Sequence, residues 1–406
     1  MAEKMKSILV ICQHYWPENF RITDICEGFS ENGCKVDVLC GLPNYPKGEY
    51  FSGYSYTKPR KEKHNNVEIF RAGEILRKGN TGIRIFLNYI SYPFTSIFSL
   101  PRLLGRKYDA VFCYQLSPVL MLVPAILYAK LHKVPLTAYV LDLWPENLYS
   151  VLPVNNKLAR SIASGVSHFL YRRADKLIAL SQTQEQKLKS IAPKSKTAII
   201  PQYCEDFYAN TIDDEVLYQK YKSDFIILFT GNFSPAQDLS MLIECAQKLR
   251  AEQIENIRFV LVGDGMSKKE LTAKIQSENL DNYFDLVGQK QSSEMPRYFG
   301  IASALFAALA DSADLGLTVP AKIASYMAGA KPLLVAMNGE GNAAVKAAQC
   351  GLTSASGDAE GLYDNIVKLY NMPLCERKAM GDNGKKYYKE HYAREDNLHA
   401  LMNFIL

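Results

Sequence analysis

Short apolar runs alternate with helix-length amphipathic segments through nearly all of the 406 residues, and the alternation stops once and restarts. Strands are predicted near 7–12, 35–40, 67–71, 109–113, 135–141, 176–180 and 197–201, with helices near 21–32, 85–105, 117–131, 155–173 and 182–191. Strands joined through helices need crossovers, and crossovers build parallel sheets with helices on both faces. A polar stretch from Pro201-Gln-Tyr-Cys-Glu-Asp206 to about Ser223 breaks the pattern. It resumes with Phe225–Phe229, Ile257–Val262, Phe284–Val287, Ala304–Ala307 and Pro332–Ala336, each followed by helical spacing. The length also exceeds what one ordinary core organises. The expected fold class is α/β, with two doubly wound Rossmann-like parallel-sheet domains, residues 1–204 and 205–390, facing each other across a cleft. A last helix within 391–406 carries Leu398, Leu401, Phe404 and Ile405 at helical spacing.

Composition narrows the class. Apolar residues make up 48% and charged residues 22%, the balance of a chain that folds around a core. Nine cysteines without a Cys-x-x-Cys pair argue for a reducing compartment and against a disulfide framework or zinc site. The first apolar run ends at Gln13-His14, too short for a secretory signal, so a cytoplasmic protein is expected. The longest apolar stretch, Val119–Ala129, contains Pro124 and is about half of a spanning helix. The net charge of +5 hides a split: residues 1–204 carry 27 basic and 15 acidic side chains, the remainder 20 and 27. Residues 58–107 alone hold 11 basic against 3 acidic, around Ile85–Phe94 and Ile97–Leu100. Basic clusters flanking aromatic and aliphatic residues fit an anionic membrane surface. No nucleic-acid-binding motif accompanies the charge, so nucleic acid is not an expected partner.

The tetrapeptide Trp-Pro-Glu-Asn occurs twice, at Trp16–Asn19 and Trp144–Asn147, each time after a predicted strand. Ligands of parallel sheets bind outside the carboxyl ends of the strands, so both copies point at one rim. There Trp16 and Trp144 can wall a pocket while Glu18, Asn19 and Glu146 place polar groups in it. The plainer reading is two ordinary turns lidded by Trp. Among six dispersed histidines, which show no metal-binding spacing, His14 is the one at a strand's carboxyl end. The first turn, Gln13–Asn19, lacks the dinucleotide glycines, and no P-loop is present. Later, Pro320 opens a helix with Lys322 in its first turn, and Gly329 and Pro332 close it. A cation in that position opposes the helix dipole unless an anion such as a diphosphate joins it. Gly231 and Asn232 after one strand, and Gly263-Asp264-Gly265 after the next, offer bare amides to a nucleotide. Asn338-Gly-Glu340-Gly341-Asn342 reads as a glycine-rich turn presenting a carboxylate to two ribose hydroxyls.

Taken together, His14-Tyr-Trp-Pro-Glu18, Pro43-Asn-Tyr-Pro46, Asp142-Leu-Trp-Pro-Glu146, Thr230-Gly-Asn232, Val262-Gly-Asp-Gly265, Pro320-Ala-Lys322 and Tyr326-Met-Ala328 resemble the retaining glycosyltransferases of family 4. The match runs in order from about residue 7 to residue 390. Within the family the chain is most similar to the WbuB-like branch, associated with O-antigen and capsule assembly and with N-acetylfucosamine transfer. The resemblance implies a GT-B fold and a nucleotide-sugar donor, UDP-linked, held by the C-terminal domain. It further implies a polyprenyl-diphosphate-linked glycan acceptor at the inner face of the cytoplasmic membrane, retention at the anomeric carbon, and no metal or other cofactor. Lys322 with the amides of Gly231 and Asn232 would take the departing diphosphate. Glu340, Tyr326, Ser325, Gly341 and Asn342 would hold the donor, with Gly263, Asp264 and Gly265 bordering the base. Asp142 and Glu146 would line the acceptor side, Asp142 orienting the attacking hydroxyl, while Glu18 and Asn19 face the sugar or diphosphate.

Three departures stand out. The family's two glutamates, eight positions apart, correspond to Leu317 and Ser325 here. The usual Arg and Lys after the second domain's first strand are replaced around Asn232 and Gln237. The histidine of the N-terminal rim is missing, with Gln115 or Asp142 nearest in pattern. Glu340 is then the substitute ribose contact. Two other readings stay open: a UDP-sugar epimerase, which has the same two-domain architecture, and a non-catalytic nucleotide-binding partner of a polysaccharide assembly complex.

Overall fold

The structure is a computed structural model describing residues 5–45, 48–58, 60–80, 82–146, 156–311 and 315–406. It divides into two compact units, Met1–Ile200 with Leu398–Leu406, and Pro201–Asn397. The break thus precedes residue 204, because Cys204 is buried in a core of the second unit. The far boundary falls at 397/398 rather than at 391.

The first unit holds β1 (Ser7–Ile11), β2 (Lys35–Cys40), β3 (Lys61–His64), β4 (Val67–Arg71), β5 (Ala110–Gln115), β6 (Leu136–Val140), β7 (Lys176–Ala179) and β8 (Lys196–Ile199). Their spatial order is β3-β4-β2-β1-β5-β6-β7-β8, and only β3 pairs antiparallel. Winding reverses between β1 and β5. Ile8–Ile11 and Ala110–Cys113 are fully buried, as expected of strands covered on both faces. β3, Lys-Glu-Lys-His, escapes prediction because it has no apolar alternation. A tight turn with Asn65 in the left-handed region folds it onto β4, and its lysines suit an edge strand.

Helices α1 (Ile22–Glu31), α2 (Gly82–Ile97), α3 (Leu122–His132), α4 (Lys157–Tyr171) and α5 (Gln182–Ile191) connect these strands. The helix predicted over 85–105 stops as α2 at Ile97. Pro101 has no N–H with which to continue it, and a 3-10 turn over Leu100–Leu103 follows. The predicted start of α4 at 155 and Asn147 of the second Trp-Pro-Glu-Asn lie outside the described residues.

The second unit holds β9 (Phe225–Asn232), β10 (Ile257–Asp264), β11 (Phe284–Gly288), β12 (Ala304–Ala308), β13 (Leu333–Ala336) and β14 (Gly351–Ser354), all parallel. The order β11-β10-β9-β12-β13-β14 is the 3-2-1-4-5-6 winding of nucleotide-binding sheets, reversing between β9 and β12. β14, Gly-Leu-Thr-Ser, is too short and polar to be read from sequence. Around this sheet lie α6 (Glu215–Tyr221), α7 (Met241–Ala251), α8 (Lys268–Ser277), α9 (Met295–Ile301), α10 (Ala321–Ala328), α11 (Glu340–Ala348), α12 (Ala359–Asn371) and α13 (Leu374–His391). The final helix α14 (Arg394–Ile405) buries Leu398, Leu401 and Ile405. Its terminal carbonyls at Phe404 and Ile405 accept from Lys176 Nζ at 2.6 and 3.1 Å.

β9 and β10 remain paired to their last residues, Gly231 beside Gly263 and Asn232 beside Asp264. A Cβ on Gly263 would lie 1.8 Å from the Gly231 carbonyl oxygen, and one on Gly265 2.4 Å from that of Phe233. The Gly-Asp-Gly glycines are therefore required by backbone packing, whatever the loop binds. Gly263→Ala should destabilise the protein by about 3 kcal/mol, the upper range for overpacking. A lower urea midpoint at unchanged slope is the expected readout.

Candidate active site

In the second unit the carboxyl end of β9 meets the first turn of α10, beside the reversal of winding. The Thr230 amide donates to the Tyr326 hydroxyl at 2.9 Å, tying strand to helix. Lys322, one turn earlier on α10, lays its ammonium over the Phe229 ring, 3.9 Å from the centroid, and donates to Gln237 Oε1. A Cβ on Gly231 would come within 3.4 Å of that Nζ, so the bare backbone of Gly231 faces the cation. Lys322 forms no ion pair with a described carboxylate. Burial alone pushes its ammonium down to about 7. A desolvated cation at the start of a helix, where the dipole repels it, is half of an anion site.

Other predicted donor residues are placed differently. Tyr326 is fully buried, its hydroxyl taken by Thr230, so it positions α10 rather than opening to a nucleoside. Ser325 is also buried and donates to the Lys322 carbonyl at 3.0 Å. Glu340 does not lie in a turn; it opens α11, where a carboxylate suits the helix dipole. The glycines around it serve packing. A Cβ on Gly339, at φ +78°, would meet the Gly316 carbonyl oxygen at 2.1 Å, and one on Gly341 the Met337 sulfur at 2.2 Å. Asn342 donates to the Ser354 carbonyl at 2.9 Å, bracing β14. Asp264 is exposed, and Lys268 together with the Gly265 amide holds its carboxyl below the usual range.

On the first unit's rim the two Trp-Pro-Glu copies do different work. Trp16 is half-buried and stacks on His64 at 4.1 Å, and Asn19 is exposed. Glu18 is buried: one oxygen accepts the amides of Asn44 and Tyr45 at 2.8 and 2.7 Å, and the other lies 3.0 Å from His14 Nδ1. Burial alone would raise its pKa, but the charge and hydrogen bond of His14 and the two amides hold it below the usual range. Trp144 is buried edge-on to Tyr89, donating from its indole to Ser117 Oγ at 2.9 Å. Asp142 accepts from the Ser117 amide and hydroxyl at 2.9 and 2.8 Å. Gln115, fully buried, donates to the carbonyls of Leu116 and Asp142 and accepts from the Tyr171 hydroxyl. Glu146 pairs with Lys187 at 2.5 Å. Gln115, Asp142 and Trp144 thus form one cluster around Ser117 and Tyr171, Glu18 belongs to a second with His14 and Asn44, and Trp16 stacks apart on His64.

Residues 20–202 match the family described as Glycosyltransferase Family 4, and residues 213–387 match Glycosyl transferases group 1. The chain is built from two glycosyltransferase domains of the GT-B type. The putative colanic acid biosynthesis glycosyl transferase WcaI of Escherichia coli K12 is 24% identical over 294 residues, 68% of this chain and 70% of that protein. The uncharacterized glycosyltransferase MJ1059 of Methanocaldococcus jannaschii is 26% identical over 204 residues, 46% of this chain. This match spans about half of that relative, 47% of its length. The Anabaena protein HepE, solved in complex with UDP, superposes with a TM-score of 0.70 at 15% identity, over 98% of this chain and 99% of its own.

The glycosyltransferase domain of the first unit also carries a group that sequence reasoning missed. Glu74, fully buried after β4, accepts from Gln13 Nε2 at 2.8 Å and Asn44 Nδ2 at 2.5 Å. Burial, then the charge on Glu18, push it up to about 8. Arg77 lies between the rings of Tyr45 and Tyr89, at 5.7 and 5.0 Å, and donates to Asn88. A lone Glu between Ala72-Gly73 and Ile75-Leu76, outside any predicted element, gives no sequence signal of such burial.

The depressed ammonium makes a stability prediction. Lys322 is charged in the unfolded chain at every pH below about 10.5, but loses its proton near 7 when folded. The cost of burying its charge is therefore full below pH 7 and fades as pH rises toward 10.5. Lys322→Met should raise the thermal midpoint of the ligand-free protein, most at pH 6 and least near pH 10, measured by calorimetry across that range.

Proposed function

We propose that this glycosyltransferase moves a sugar, of which N-acetylated deoxy-amino sugars are one class, from a UDP-linked donor to a lipid-linked glycan with retention, in bacterial surface-polysaccharide assembly. One observation carries the donor half: the ammonium of Lys322, bonded to the neutral Gln237 and without an ion-pair partner among the described residues, beside the bare backbone of Gly231 at the reversal of winding of the second sheet. UDP bound to HepE, a protein of like fold, supports the choice of nucleotide. As the sugar leaves, charge grows on the diphosphate, and a preorganised cation stabilises that state more than the bound donor. In this reading Lys322 supplies it, with the amides of Gly231 and Asn232. Glu340 is proposed for the ribose and Asp142 for orienting the attacking hydroxyl. No metal is needed in this scheme, and no group of carboxylates or histidines suited to a metal occurs among the described residues.

The acceptor half rests on the first unit's surface. Among the described residues no helix is long and apolar enough to cross a membrane. Instead α2 turns Ile83, Phe86, Ile90 and Phe94 outward at helical spacing, and Phe98 follows, 72% exposed. Close by in sequence, Lys58, Arg60, Lys61, Arg102 and Arg106 line a cavity of about 480 Å³. An apolar stripe with basic neighbours fits peripheral docking on an anionic bilayer, where a lipid-linked acceptor resides. The non-catalytic reading draws on Leu317 and Ser325 in place of the glutamate pair, and predicts nucleotide binding without transfer.

Three outcomes test this. Lys322→Ala should lower transfer from a UDP-sugar to a lipid-linked acceptor by about 10²- to 10³-fold. A wild-type rate would remove the diphosphate from this helix. A bound diphosphate keeps Lys322 protonated, so UDP affinity should fall by up to about tenfold per pH unit above 7, whereas Lys322→Arg, always charged, should show no such slope. Turnover should survive EDTA; complete loss restored by magnesium or manganese would refute the metal-free scheme.

A further inference from the structure

A second concentration of positive charge lies on the first unit, away from the carboxyl rim that carries the candidate site. At the amino ends of β6, β7 and β8 a cavity of about 630 Å³ has an apolar floor that includes Ile126, Ala129 and Leu136. Lys130 and Lys133 border it from the end of α3, Arg173 from beyond α4, and Lys194 and Lys196 from the start of β8. The single acid lining it, Asp175, accepts from the Leu136 amide at 2.8 Å. Lys176 is committed to the carbonyls of Phe404 and Ile405.

Lys130 and Lys133 have a local explanation, since cations favour the end of a helix. Lys196 opens the edge strand β8, where a lysine is also at home, whereas Lys194, ahead of that strand, has no such explanation. The register sets Lys196 directly beside Lys176 on neighbouring strands, a like-charge pairing that weakens a sheet. None of Lys130, Lys133, Lys194 and Lys196 forms an ion pair with a described carboxylate. Cations that outnumber the acid at one cavity, with Asp175 alone among them, gain most from a bound anion.

What adjoins the cavity indicates the kind of anion. Crossovers β4→β5, β5→β6 and β6→β7 all step the same way along the sheet, so right-handed connections put α2, α3 and α4 on one face. Both α2 and α4 touch the same 3-10 turn, Val119–Met121, at the start of α3. On this face α3 exposes Leu127 and Leu131, and α4 exposes Leu158, Ile162, Val166 and Phe169 in a helical stripe. Leu131 adjoins Lys130, and the Arg173 guanidinium lies over the Phe169 ring at 4.6 Å. Apolar side chains therefore continue from the cavity's cationic border.

We propose that this cavity binds the phosphate of an anionic phospholipid headgroup, while the apolar faces of α3 and α4 enter the same leaflet. The inference rests on the membrane-docking reading above and adds to it a second contact, separate from α2, with a stated lipid chemistry.

Vesicle flotation of the full chain tests it, comparing pure phosphatidylcholine with phosphatidylcholine containing phosphatidylglycerol. Replacing Lys130, Lys133, Lys194 and Lys196 by Gln should lower affinity for the phosphatidylglycerol vesicles by about 10²-fold or more, at roughly one kcal/mol per basic residue. Weak partition into pure phosphatidylcholine and the melting temperature should not change, and Arg at the same four positions should restore binding. Phe86→Ser with Phe94→Ser, on α2, separates the two readings. If that pair abolishes flotation while the four-Gln variant floats like wild type, the cavity proposal fails and α2 docking stands. If the wild type ignores both vesicles, both fail. Displacement from vesicles by free glycerol phosphate at equal phosphate concentration would reassign the cavity to a soluble phosphate ester. Concentration-dependent self-association without vesicle binding would assign the face to a second copy.

Discussion

The bond from the Thr230 amide to the Tyr326 hydroxyl holds the end of β9 against α10, and the placement of Lys322 depends on it. Phe229, the preceding strand residue, belongs to a core packed from Phe233 and Phe306, so the ammonium lies on the roof of an apolar cluster. Water is partly displaced there, and no described carboxylate replaces it. Gln237 contributes a neutral oxygen, which satisfies one hydrogen bond without neutralising the charge. The packing that orders the ammonium thus leaves it without a counter-charge among the described residues.

On the other unit the rim solves a different problem, the burial of two carboxylates close to one another. Glu18 meets two backbone amides and His14, and stays ionised readily. Glu74 meets side-chain amides in full burial and feels the charge on Glu18, so its proton is held to about pH 8. Asn44 joins them, giving its backbone amide to Glu18 and its side-chain amide to Glu74. The loop after β2 is pinned between both acids. Such a network orders the rim around β1, whereas the cluster at Asp142 orders it around β5 and β6 through Ser117 and Tyr171.

Charge and apolar surface on the first unit follow from topology more than from local composition. Right-handed crossovers assemble α2, α3 and α4 on one face, and each helix keeps apolar side chains on its solvent side. For α3, nearly uniform in hydrophobicity, the helical period alone could not say which side is buried.

The sequence alone determined that both sheets are parallel and covered on two faces, because strands so covered read as unbroken apolar runs, and Ile8–Ile11, Val111–Cys113 and Phe225–Phe229 are such runs, while the strand order came only with the structure. It also placed Lys322 in a first helical turn, since Pro320 and Gly329 mark the ends of α10. It missed β3 and β14, which lie at sheet edges and need no apolar repeat. Only the tertiary structure decided the roles of the motif residues. Identical tetrapeptides at Trp16 and Trp144 became a half-exposed stack and a buried prop, because His64 meets one and Tyr89 and Ser117 the other. Glycines that read as ligand cradles proved to be contacts between backbones, as at Gly263 and Gly339, and Tyr326 turned inward to Thr230. Glu74 became a buried acid through partners 61 and 30 residues away in the chain, a distance over which local sequence carries no information about burial.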